Sequence, residues 1–158
     1  MKKADIPLLS AVISSPLGPI QAVFFRRAVI SLAFGEADDL PGADKATTQR
    51  LADDLASYFA GSPRVTRTPL DTGTGTPFQQ RVWAELRRIP FGTTVSYGEL
   101  ARRVGASRAA RAVGQAVGAN PIPILIPCHR VICSNGSLGG FGAGPEIKKW
   151  LLRHEGCL

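Results

Sequence analysis

"SYGELARRVGASRAARAVGQAVGANP", residues 96–121, is the stretch that decides the architecture. Ser96-Tyr97-Gly98-Glu99 has the form of a capping box, in which a serine side chain accepts a backbone N–H three residues on and a glutamate reaches back. The short helix it opens carries Leu100 and Val104 and stops at Gly105. Gly105-Ala106-Ser107 joins it to "RAARAVGQAVG", a second helix that Ser107 is positioned to cap and that ends near Asn120 and Pro121. Two short helices across so tight a turn read as a helix-turn-helix. On the second helix Ala109, Val113, Ala116 and Val117 make an apolar face, while Arg111, Gly114, Gln115 and Gly118 share another. That second face is nearly bare. Bareness suits close packing against a neighbouring helix, and it equally suits a backbone approaching a nucleic-acid groove while Arg111 enters the base stack.

Working outward, Thr76-Pro77-Phe78-Gln79 is another capping box with proline at the first helical position, and Phe78, Val82 and Leu86 follow on one face until Pro90. Pro145 opens a last helix through "EIKKWLLRHE" to Gly156; Ile147, Leu151 and His154 share a face, Glu155 at its edge can point inward, and Lys148 and Lys149 are expected in solvent. Toward the N-terminus, "LLSAVISSPLGPIQAVFFRRAVISLAF" holds short β-rich runs broken by Ser15-Pro16-Leu17-Gly18 and by Arg26-Arg27, which predicts a small antiparallel sheet. A helix is expected from about Ala46 to Phe59, carrying Leu51, Leu55 and Tyr58 and closed by Gly61 and Pro63. "LDTGTGTP", from Leu70, has no apolar period and reads as a boundary. The expectation is an α+β chain of two small domains, residues 1–72 and 73–158.

With 158 residues, 44% of them hydrophobic and 20% charged, the chain can bury a real core. Met1-Lys2-Lys3 has the start of an export signal, but Asp5 and Pro7 interrupt it, and no run is long enough to span a membrane. Cys128, Cys133 and Cys157 are odd in number and crowd the last fifth of the chain, a poor disulfide framework, so a reducing, cytoplasmic setting is expected. The net charge of +7 permits a polyanionic partner. The excess is concentrated around the helix-turn-helix, where Arg81, Arg87, Arg88, Arg102, Arg103, Arg108 and Arg111 face only Glu85 and Glu99.

The chemistry lies just beyond, in "PIPILIPCHRVICSNG", residues 121–136. A cysteine attacks as thiolate and needs a base or a cation to favour that form. His129 offers the base and Arg130 the cation. Neighbours on an extended strand point to opposite sides, so a turn or a bridging water has to bring Cys128 and His129 together. Glu155 is the first candidate to orient the imidazole and Glu146 the second. Two other readings stand beside this one. Cys128 is a small buried hydrophobe after "ILI", or Cys128, His129, Cys133, His154 and Cys157 supply zinc ligands, although no C-x2-C or H-x3-H pair is present. Cys133 and Cys157 have no comparable surroundings.

"FQQRVW", "IPFGTTVSYGELA", "RAVGQAVGANPIPILIPCHRVI" and "KKWLLRHEG" together resemble the O6-alkylguanine-DNA alkyltransferases, also called methylated-DNA-protein-cysteine methyltransferases. The resemblance covers roughly Gly75 to Gly156, and upstream extends only to length, "SSPLGPI" and the β-then-helix order. It implies an RNase H-like N-terminal domain and a C-terminal winged helix-turn-helix domain. By the matched positions, double-stranded DNA carrying an alkylated guanine is bound through its minor groove by Ala110, Arg111, Gly114 and Gln115, with Tyr97 beside them. Arg111 fills the space of the flipped base, and Asn120 braces the turn toward the nucleophile. Cys128 accepts the alkyl group, His129 is the base through a water, Glu155 orients His129, and Tyr97 donates to the departing guanine. Pro123, Val131, Phe141 and Gly142 line the pocket. The reaction implied is single-turnover, direct-reversal repair of O6-alkylguanine, with O4-alkylthymine as a second lesion, by a monomer that needs no cofactor.

The sequence departs from the family's pattern at several places. Phe141 stands where some relatives carry tyrosine, Gly142 where a serine follows, and Gln115 where a smaller residue is common. No cysteine or histidine precedes Cys128, so the N-terminal zinc ligands of some relatives are missing and no structural metal is expected. Three other functions share parts of the pattern: a non-catalytic sensor of alkylated DNA, a transcription factor using the helix-turn-helix alone, and a thiol hydrolase built on Cys128, His129 and Glu155.

Overall fold

The structure, a computed structural model, describes residues 5–35, 39–63 and 65–158; the Met1-Lys2-Lys3 start lies outside them. The fold is α+β, and the chain separates into two compact units, Met1–Thr72 and Gly73–Leu158.

In the first unit, β1 (Leu8–Ile13), β2 (Ile20–Phe25) and β3 (Ala28–Phe34) form an antiparallel sheet in the order β1-β2-β3. The turn after β1 closes with Ser15 Oγ donating to Gly18 O at 2.6 Å, and Gly18 adopts φ +90°, which a side chain would resist. Arg26-Arg27 makes the next turn, and Arg26 takes the left-handed φ of +58° that two-residue hairpins demand. Ile20, Ala22 and Phe24 alternate onto one buried face of β2. Helix α1 (Lys45–Phe59) is capped by Asp44, whose carboxylate accepts the Thr47 N–H at 2.9 Å, and it buries the expected Leu51, Leu55 and Tyr58.

The second unit packs α2 (Pro77–Leu86), α3 (Tyr97–Arg103) and α4 (Ala110–Gly118) against one another. At α2 the whole capping box forms: Thr76 accepts from Gln79 N while Gln79 accepts from Thr76 N. At α3 half of it forms. Ser96 accepts the Glu99 N–H at 3.0 Å, but the Glu99 carboxylate turns outward to Arg102 at 2.7 Å and Arg103 at 2.9 Å, because two guanidinium groups one turn on outcompete a single N–H. Ser107 does not cap α4: it lies in the intervening turn, and the N-cap is Ala109, which has no side-chain acceptor. Val113, Ala116 and Val117 are the buried face of α4, each valine contributing about 1.5–3 kcal/mol on burial.

A three-residue 3-10 turn, Cys128–Arg130, leads into β5 (Val131–Ile132), which pairs in parallel with β4 (Val95–Ser96). The pairing ties the residues after the Cys128 turn to the cap of α3. Helix α5 (Pro145–His154) begins at proline as expected, and Glu155 is its C-cap. One expectation on α5 is overturned. Lys149 is half-buried, and Lys148 is fully buried, its Nζ donating to Val131 O at 2.7 Å and Gly140 O at 3.4 Å. The periodicity of α5 put Lys148 one residue from Ile147 and could not reveal two backbone carbonyls waiting on the inner side. Among the described residues no helix is long and apolar enough to cross a membrane.

Candidate functional site

The site starts from the end of α4. Asn120 follows the helix, its Oδ1 accepting the Ile122 N–H at 3.0 Å and its Nδ2 donating to Ile126 O at 2.7 Å. The same amide favours the thiolate of Cys128. Asn120 thus braces the segment between the helix-turn-helix and Cys128. Cys128 itself is 6% exposed. Burial pushes its thiol up, while Asn120 and the ammonium of Lys148 pull it down.

The 3-10 turn solves the problem of adjacent residues facing opposite ways. It swings His129 and Arg130 together onto Glu155. His129 Nε2 meets Glu155 Oε1 at 2.6 Å, Arg130 Nε and Nη2 donate to the same carboxylate at 2.9 Å, and Gly92 N donates to Oε2 at 3.1 Å. Burial alone would raise the Glu155 carboxyl, but the bonds from His129 and Arg130 hold it at about 2. Burial lowers the His129 imidazole below its ordinary value, against the pull of Glu155, so the ring is neutral near pH 7 and able to take a proton. Glu155 is the carboxylate that meets His129; Glu146 is exposed in the first turn of α5.

Arg130 is not the cation of the thiol. Its guanidinium is committed to Glu155 and, through Nη1, to Ile89 O at 2.7 Å. The charge acting on Cys128 is Lys148, which the sequence reading had put in solvent, and which lies 5.8 Å over the Tyr97 ring. Tyr97 is half-buried, and burial together with Cys133 and Cys128 raises its hydroxyl, so it keeps its proton at neutral pH. Gly139 has φ +72°, and a side chain there would be strained and would lie 3.1 Å from Tyr97 Cε2 and 3.3 Å from Cys133 Sγ, so the ring would have to give by a few tenths of an ångström.

Of the other singled-out residues, Arg111 and Gln115 are exposed on the side of α4 away from Val113 and Val117, Gly114 is half-buried at the flank, and Ala110 is exposed at the first helical position, on the valine side. Pro123 is half-buried in the segment leading to Cys128, and Val131 is fully buried with its carbonyl taken by Lys148. Phe141 is half-buried and Gly142 exposed in the loop ahead of α5, next to the Gly140 carbonyl. Sequence reasoning missed Lys148 and also Trp83, whose Nε1 donates to Ala116 O at 2.8 Å and pins the end of α4. A tryptophan on the buried face of α2 was the available signal for the second. Among the described residues no group of three or more His, Cys, Asp or Glu is arranged to hold a metal ion.

This combination of helix-turn-helix, buried cysteine and histidine–carboxylate pair has close parallels among known proteins. The family described as "6-O-methylguanine DNA methyltransferase, DNA binding domain" matches residues 77–157. A methylated-DNA-protein-cysteine methyltransferase of Salmonella typhimurium is 58% identical over 109 residues, covering 68% of this chain and 63% of that protein. The Mycobacterium tuberculosis protein of the same name is 43% identical over 148 residues, covering 90% of this chain and 89% of its own. The crystal structure of Mycobacterium tuberculosis OGT in complex with DNA superposes with a TM-score of 0.82 at 42% identity, covering 91% of this chain and 90% of that one. Its O6-methylguanine methyltransferase structure gives a TM-score of 0.83 at 41% identity, over 94% and 92% of the two chains. With the match running through both units and the cysteine site alike, the chain belongs to the methylated-DNA-protein-cysteine methyltransferase family.

Proposed function

We propose that this protein repairs alkylated DNA by direct reversal, transferring the alkyl group of O6-alkylguanine, or of O4-alkylthymine, to its own Cys128. The observation that carries the reading is the pair of hydrogen bonds by which Asn120, at the end of the helix-turn-helix, and the Cys128 N–H share the Ile126 carbonyl, together with the bond from the adjacent His129 to Glu155. The names of the relatives support it, as does the DNA complex of the Mycobacterium tuberculosis protein. The protein acts as a cytoplasmic monomer, with its RNase H-like N-terminal unit ahead of the DNA-reading one.

A base inside a duplex is out of reach of a buried thiol, so the damaged nucleotide is rotated out at a cost of about a few kcal/mol. The exposed face of α4, with Ala110, Arg111, Gly114 and Gln115, enters the minor groove, and Arg111 fills the gap in the stack. The thiol of Cys128 gives its proton through a water to His129, whose developing charge Glu155 stabilises. The sulfur attacks the alkyl carbon in line: the S–C bond forms as the C–O6 bond breaks, and the electron pair leaves with the guanine oxygen and ring. Tyr97, holding its proton, donates to the departing ring; Pro123, Val131, Phe141 and the backbone N–H of Gly142 bound the pocket. The thioether product has no easy hydrolytic exit, so each molecule turns over once.

Intact-protein mass spectrometry after incubation with duplex DNA containing O6-methylguanine tests this. A single methyl-sized gain on the Cys128 peptide, absent in Cys128→Ser, is expected. Tight binding without the gain would leave a lesion sensor or a DNA-binding regulator, and neither binding nor gain would discard the reading.

A further inference from the structure

In "NPIPILIPC", residues 120–128, prolines at 121, 123 and 127 remove three N–H donors and fix three φ angles, so few hydrogen bonds remain to shape the approach to the nucleophile. The structure closes it with two three-residue turns. The Leu125 N–H bonds Pro123 O at 2.9 Å around Ile124, whose φ is +72°. This is the rare, strained form of the γ-turn. The Cys128 N–H then bonds Ile126 O at 2.8 Å around Pro127, at φ −80° and ψ 65°, the relaxed inverse form.

Among the described non-glycine residues only Arg26 and Ile124 have positive φ. Arg26 is in an exposed hairpin; Ile124 is β-branched and 4% exposed. A branched residue in that conformation persists only where its surroundings over-determine it. Here they do. Ile122, Ile124 and Ile126 are all anchored in the core, Ile126 N bonds Ile122 O at 2.9 Å, and Asn120 clasps Ile122 N and Ile126 O from outside. Glycine would relieve the strain but would leave the turn without its central anchor.

We propose that Ile124 is a positioning residue for Cys128, its strained turn setting both the pocket wall at Pro123 and the place of the sulfur. The proposal rests on the alkyl-transfer reading for its functional consequence. The link runs through one atom: the Ile126 carbonyl accepts both Asn120 Nδ2 and the Cys128 N–H. If the turn at Ile124 relaxes, the spacing of Ile122 and Ile126 changes, the Asn120 clasp loosens and Cys128 loses its line of attack.

The test compares Ile124→Gly and Ile124→Val with the parent by single-turnover transfer from an O6-methylguanine duplex, duplex affinity, and the rate of Cys128 alkylation by iodoacetamide, at a temperature where melting curves show each folded. Ile124→Gly is expected to slow transfer by about tenfold or more, since small misplacements of a reacting atom are costly, while duplex affinity holds and iodoacetamide reaches the loosened thiol faster. Ile124→Val, which keeps the branched Cβ, restores both rates. If Ile124→Gly does not fold, Ile124→Ala is read in its place. A folded variant with parental transfer and iodoacetamide rates overturns the proposal. If the parent itself transfers nothing, the repair reading fails separately, and the iodoacetamide rate alone decides: unchanged, it overturns the positioning role.

Discussion

Glu155→Gln probes the clamp at the centre of the site. The carboxylate is fully enclosed and accepts from His129, from two nitrogens of Arg130 and from Gly92 N. Its carboxyl is held at about 2 against an ordinary 4.5. Through linkage, a carboxyl lowered in the folded state adds stability wherever the unfolded chain would hold the proton and the folded one does not. The sign follows from the direction of the shift: for an acid with a lowered folded pKa, the contribution is fully present above about pH 4.5 and disappears as pH falls toward about 2. His129 acts in the same sense, since a base kept neutral by burial resists the proton that the unfolded chain takes up below its ordinary 6.5. Glutamine keeps the shape but has one acceptor oxygen, turns an NH2 toward other donors and leaves the Arg130 charge unpaired. The expected loss at pH 7 is about 3–5 kcal/mol, the usual cost of breaking a buried pair from one side. Urea unfolding of both proteins at pH 7 and near pH 3.5 reads it: the gap should be large at pH 7 and shrink in acid. Equal midpoints at pH 7, or a gap independent of pH, would refute the reasoning.

Lys148→Met removes the ammonium that favours the Cys128 thiolate, so the pH profile of iodoacetamide reaction at Cys128 should move to higher pH and alkyl transfer should slow; an unmoved profile would deny the coupling. Trp83→Phe keeps the apolar ring but strips the donor from Ala116 O, a carbonyl that Asn120 N does not serve because it bonds Val117 O at 3.3 Å; urea melts should show a loss of about 1–3 kcal/mol. Arg111→Ala should slow transfer from a duplex lesion more than from a single-stranded one, and equal losses would contradict its place in the stack. Binding to a lesion duplex should weaken steeply with salt, by a slope of about 0.9 per neutralised phosphate, and a flat dependence would remove the groove contact.

Much of the site is readable along the chain because its determinants are local. Pro77 behind Thr76, Pro145 at the head of α5 and the apolar spacing of Val113, Ala116 and Val117 fix helices by short-range sterics and period alone. Cys128 and His129 are adjacent, and Glu155 stands one turn beyond Leu151, so the three groups were nameable before their distances were known. Where local rules compete with long-range partners, reading along the chain fails. Glu99 abandoned its capping role for Arg102 and Arg103, and α4 began after Ser107 rather than on it.

The sequence by itself determined the N-terminal sheet, the helices, the helix-turn-helix and the candidate nucleophile, since each depends on neighbours within a turn or two, while the short parallel pair β4–β5 joins residues too far apart in the chain to be read there. Tertiary structure alone decided which cation serves which anion. Arg130, next but one to Cys128, is drawn to a carboxylate 25 residues away, and Lys148, 20 residues from Cys128 in sequence, is buried on the Val131 carbonyl, from where its ammonium favours the thiolate. Coulomb and hydrogen-bond energies depend on distance through space and on burial, and neither is written in the spacing of residues along a chain.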